Sequence, residues 1–89
     1  MTKRERNKKL SAQRLRLTHL WGELWNMKIA LADAVLIEHN LIMSQMTAGE
    51  RRAAVLQASQ RVRSAIDECV ALQTAIDKIN TRWPELNDY

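Results

Sequence analysis

From Val55 to Leu86 apolar side chains recur at alternating spacings of three and four residues: Val55, Ala58, Val62, Ala65, Cys69, Leu72, Ile76, Ile79, Trp83 and Leu86. A seven-residue repeat keeps one narrow stripe turned toward a partner, so the pattern predicts a long helix laid lengthwise on another helix. Its start is marked by Thr47-Ala48-Gly49-Glu50, the spacing of a capping box. In that arrangement Thr47 accepts from the amide three residues on and Glu50 reaches back to the Thr47 amide. Its end is set by Pro84, which disfavours helical geometry at Trp83 and has no N–H to donate. The predicted helix covers residues 48–82.

Upstream there is no proline, and Gly22 is the single glycine before the break. Glycine costs about 1 kcal/mol against alanine in a helix but does not interrupt one that is packed. One helix over residues 10–44 follows, with the turn at 44–47. At ~1.5 Å per residue both helices come to about 50 Å, so an antiparallel hairpin matches them end to end. The first helix has the broader apolar surface. His19, Asn26, Asp33 and Asn40 form a polar row, while Leu17, Leu20, Trp21, Leu24, Trp25, Met27, Ile29, Leu31, Val35, Leu36, Leu41, Ile42 and Met43 cover the other side. That arc spans roughly 200°, about twice the stripe a surface helix needs. A single partner helix does not cover it. The expected architecture is all-α, an antiparallel two-helix hairpin of long helices pairing into a dimeric four-helix bundle with the first helices central.

Composition agrees: 4% aromatic residues, two glycines, one proline and no phenylalanine suit long helices. At 89 residues the chain holds one domain at most, with a small core or one shared with a second subunit. The formal charge of +4 is concentrated at one end. Residues 1–16 carry seven cations, Lys3, Arg4, Arg6, Lys8, Lys9, Arg14 and Arg16, against Glu5 alone. These cations oppose the helix dipole in a first turn, so residues 1–9 are expected to form a basic, flexible N-terminal arm, even though Thr2 and Glu5 have capping-box spacing. Residues 83–89 are read as a C-terminal tail whose acidic side chains Glu85 and Asp88, with Asp77 of the second helix, lie near that arm. One cysteine suits a reducing compartment. The longest apolar run, Ile29 to Ile37, contains Asp33 and falls short of the ~20 residues that span a bilayer. The expectation is a soluble, cytoplasmic protein without a membrane partner.

Few residues suggest chemistry. Trp21 and Trp25 lie one turn apart; such a pair packs in a core, within the hairpin or across a dimer, or anchors a partner protein. Trp83 is expected to close the bundle. Lys28, Glu38 and His39 interrupt the apolar arc and are read as snorkelling to its edge. Glu38 and His39 are adjacent and point to different faces, which argues against shared acid–base work. His19 and Glu23 have no third ligand at metal spacing, Cys69 lies in the seam, and neither glycine belongs to a phosphate loop. No catalytic residue, cofactor, metal or small-molecule substrate is assigned.

The functional expectation is a non-enzymatic helical binding protein, a regulator or inhibitor that docks an apolar helix face on a larger protein and pairs with itself. The interface residues are Trp21, Trp25, Lys28, Ile29, Leu36 and Met43. A second reading takes nucleic acid as the partner, with Lys3, Arg4, Arg6, Lys8, Lys9, Arg14 and Arg16 on its phosphates, helped by Arg51 and Arg52 or Arg61 and Arg63.

Overall fold

The first helix starts earlier than its apolar pattern. The computed structural model describes residues 2–87, in which helix α1 runs Lys3–Ile42, helix α2 Ala48–Arg82, and a 3-10 turn Pro84–Asn87. From Lys3 onward the expected flexible arm is therefore the opening turns of α1. Two interactions offset the unfavourable dipole there. Thr2 and Glu5 form a full capping box, with Glu5 N donating to Thr2 Oγ1 at 3.2 Å and Thr2 N donating to Glu5 Oε2 at 3.5 Å. Arg6, one residue further on, is held by the far end of the chain. Met1, Asp88 and Tyr89 lie outside the described residues, and with them the expected contact of Asp88.

The turn is closed mainly by one side chain. α1 ends at Ile42 and is capped by Met43, whose amide donates to the His39 carbonyl at 3.1 Å. Arg51, in the first turn of α2, reaches back and donates to the carbonyls of Ser44 at 2.6 Å and Met46 at 3.0 Å. Thr47 caps α2 as expected, accepting from Glu50 N at 3.4 Å. The reciprocal Glu50 bond is not formed, so this cap is half of the predicted box. At the other end, Trp83 leaves helical geometry at φ −127° and ψ 68° immediately before Pro84, as the proline requires. The chain then folds back, and Trp83 and Leu86 are buried. Through these two side chains the segment joins the core instead of trailing as a tail.

The two helices meet along matched heptad stripes. Every predicted α2 seam position from Val55 to Leu86 is buried or half-buried. On α1 the sheltered residues are Arg6, Leu10, Gln13, Leu17, Leu20, Leu24, Met27, Leu31, Ala34, Glu38 and Leu41, and no other described residue of that helix. These too alternate by four and three. Only a strict stripe of the broad apolar arc is therefore covered by α2.

Packing is uneven along the rod. Leu17, Leu24, Ile76, Ile79, Trp83 and Leu86 form the main cluster near the open end, with Leu10, Leu20, Cys69 and Leu72 against it. Toward the turn the buried side chains are Ala58 and Ala65, while larger α1 residues there, among them Leu36 and Met43, point outward. Ile76 is wholly buried, and Ile76→Ala should destabilise the fold by about 2–5 kcal/mol, seen as a lower urea midpoint. Gly22, by contrast, has open space where a Cβ would stand. Gly22→Ala should therefore raise the midpoint, by up to about 1 kcal/mol.

Candidate functional site

A two-helix layer has two broad sides, and here they differ in chemistry. One side is flanked by Lys9, Arg16, Glu23, Ala30 and Ile37 of α1 and by Arg61, Glu68, Ala75 and Arg82 of α2, which line shared grooves. The opposite side is flanked by Arg14, Trp21, Lys28, Val35 and Ile42 of α1 and by Ser59, Ile66, Gln73 and Asn80 of α2. Glu38 lies at that edge and accepts from Ser59 Oγ at 2.7 Å. Glu38 is thus half-buried and bonded across the seam instead of snorkelling free, whereas Lys28 and His39 are exposed.

The second side is the apolar one. Trp21 is 45% exposed and Trp25 67%, with Leu36 at 57% and Met43 at 71% on the adjoining back of α1. Val35 and Ile42 on α1 and Leu56, Ile66 and Val70 on α2 extend the same surface, whereas Ile29, Leu36 and Met43, spaced by seven, form one exposed row along the back of α1 at its outer edge. Trp25 is therefore not packed within the hairpin, and Trp21 is covered only in part. The reason is a choice of stripe: Leu20 and Leu24 occupy the seam, and Trp21 and Trp25, one residue later, turn about 100° away from them. All six residues expected at a protein interface, Trp21, Trp25, Lys28, Ile29, Leu36 and Met43, are exposed. The shielded carbonyl oxygen of Asn80 on this flank has no hydrogen-bond partner among the described residues, an arrangement buried polar groups rarely keep.

The basic residues do not act as one set. Arg6 is taken by the chain's own end: its guanidinium donates to both Glu85 oxygens at 2.6 and 2.8 Å and lies 4.9 Å from the Trp83 ring centre. Arg6 is thus removed from the expected phosphate contacts. Lys3, Arg4, Lys8, Lys9, Arg14 and Arg16 are exposed and form no ion pair; among the described residues Arg6–Glu85 is the one ion pair. Lys9 and Arg16 face the first side, where the register of α2 brings Lys78 and Arg82 beside them. Sequence reasoning missed these two, because they lie more than sixty residues further along the chain. Arg51 is committed to the turn, and Arg52, Arg61 and Arg63 are distributed along α2, away from the open end.

No group of His, Cys, Asp and Glu with metal-binding geometry occurs among the described residues. Among the same residues no helix is long and apolar enough to cross a membrane. Compared with protein-family models, curated proteins and solved structures, the chain has no significant match.

Both partners of the Arg6–Glu85 pair are about two-fifths exposed, which limits its strength. Glu85→Gln should cost about 0.5–1 kcal/mol. Its clearest effect should be faster amide hydrogen exchange at Arg6 to Leu10, with little change in the middle of α1.

Proposed function

We propose that the protein is a non-enzymatic binding module that works by pairing its apolar broad side with another protein surface. In the free state that surface is a second copy, giving a four-helix bundle with the α1 helices central. In its working state the same side docks on a larger protein as a regulator or inhibitor. The observation carrying this reading is the exposure of Trp21, Trp25, Val35 and Ile42 on one broad side of the rod, bordered by Leu36 and Met43 on the back of α1.

Surface size supports it. The chain exposes 7087 Å², whereas a compact 10.3 kDa monomer would expose about 5,400 Å². A stable interface buries about 800 Å² per partner, so the surplus is ample for a dimer. The rod measures 67 × 18 × 15 Å, a shape whose broad sides present most of its area. Burying the exposed part of Trp25 alone would contribute about 2–4 kcal/mol of hydrophobic free energy before the cost of association.

Light scattering coupled to size exclusion should give a mass near twice 10.3 kDa at tens of micromolar. Trp25→Glu combined with Leu36→Glu should halve that mass while leaving helical circular dichroism in place, since neither side chain is in the seam. A wild-type mass of one chain at that concentration would remove the dimer. A dimer untouched by the double variant would move the interface elsewhere.

A further inference from the structure

We propose that the open end of the hairpin carries a second binding site, a basic groove for the phosphodiester backbone of a nucleic acid, on the side opposite the apolar one. The groove has a volume of about 630 Å³ and is lined by Lys9, Gln13 and Arg16 of α1 and by Lys78, Arg82 and Thr74 of α2, with no carboxylate in its lining. Its floor includes Ala71 and Ala75, whose small side chains let a ligand approach the helix backbone. Lys9, Arg16, Lys78 and Arg82 are all exposed and come from both helices, so the seam register assembles the site. Four like charges around one concavity repel one another. An anion seated among them relieves that repulsion.

The ligand class follows from shape and surroundings. From Ala71 to Arg82 the groove follows the rod for about 16 Å, at ~1.5 Å per residue, which suits a chain of successive charges better than one small anion. Lys3, Arg4, Lys8 and Arg14 add unpaired cations around the same end, widening the electrostatic footprint in the way phosphate tracking uses. A membrane surface fits less well, because the exposed side chains Trp21, Trp25, Val35, Ile42 and Ile66 lie on the opposite side. Trp83, a wall of the groove, is buried and already covered by Arg6, which leaves no exposed ring for base stacking. Recognition is therefore electrostatic and independent of sequence. The site does not depend on the pairing of the apolar side: in a dimer formed there, both grooves face outward.

The test is fluorescence anisotropy with a labelled mixed-sequence DNA duplex and a labelled single-stranded RNA, titrated with the full chain at several salt concentrations. Four cations on duplex phosphates predict a slope of log Kobs against log salt near −3.6, or about a hundredfold loss of affinity for a fourfold rise in salt. Lys78→Gln with Arg82→Gln should reduce the slope by about 2 and weaken binding roughly tenfold at moderate salt. Arg52→Gln with Arg63→Gln, the same change in charge elsewhere on α2, should change affinity less than about twofold. Comparison of the two probes distinguishes duplex DNA from single-stranded RNA as the source of the backbone. Absence of binding to both at low salt, equal losses in the two double variants, or stronger binding to polyglutamate or to phosphatidylglycerol vesicles than to either probe would each overturn the proposal.

Discussion

The structure depends on a seam one side chain wide. Two heptad stripes, Leu10 to Leu41 on α1 and Val55 to Leu86 on α2, meet in antiparallel register and shelter little else. Strict three-and-four spacing is what makes the contact narrow, because residues off that spacing rotate away from the partner helix. The hairpin holds its shape through one stripe per helix, and the surplus apolar side chains of α1 remain outside it.

The narrow seam divides the remaining surface into two chemically distinct sides. One carries indole and aliphatic side chains with scattered charges at Arg14, Lys28 and Arg63. The other carries shallow grooves, with Lys9, Arg16, Lys78 and Arg82 at the open end and the carboxylates Glu23 and Glu68 toward the middle. Such segregation is what the two proposed contacts, an apolar one and an electrostatic one, both rest on. The Arg6 contact with Glu85 and Trp83 belongs to neither side. It ties the two chain ends together and gives the basic opening turns of α1 a long-range reason to be helical.

Much of this was legible in the residues. The α2 seam, the cap at Thr47 and the stop at Trp83 are local features, set by spacing, by a hydroxyl and by a proline, and the chain follows them closely. The start of α1 was not, because cations in a first turn argue for fraying, and the stabilising partner of Arg6 stands 79 residues away. Nor was the choice between neighbouring stripes: a 200° apolar arc offers Leu20 and Leu24 or Trp21 and Trp25 to the seam, and only the register with α2 decides. The basic groove lay beyond sequence reasoning for the same reason. Lys78 and Arg82 are spaced one turn apart, a signal of a shared face, but nothing local places that face beside Lys9 and Arg16.

The seam leaves the Trp21–Trp25 flank exposed within one chain, and the proposed pairing would cover it. The chain has three tryptophans, and biosynthetic labelling with fluorotryptophan gives each its own fluorine resonance, assigned by single Trp→Phe variants. The solvent-isotope shift of those resonances, followed through dilution, reads water contact at each ring. The Trp21 and Trp25 signals should be shielded when concentrated and gain the isotope shift of wet rings on dilution, while Trp83 stays shielded throughout. Isotope shifts that are unchanged by dilution at Trp21 and Trp25, whether wet or dry, would contradict the account.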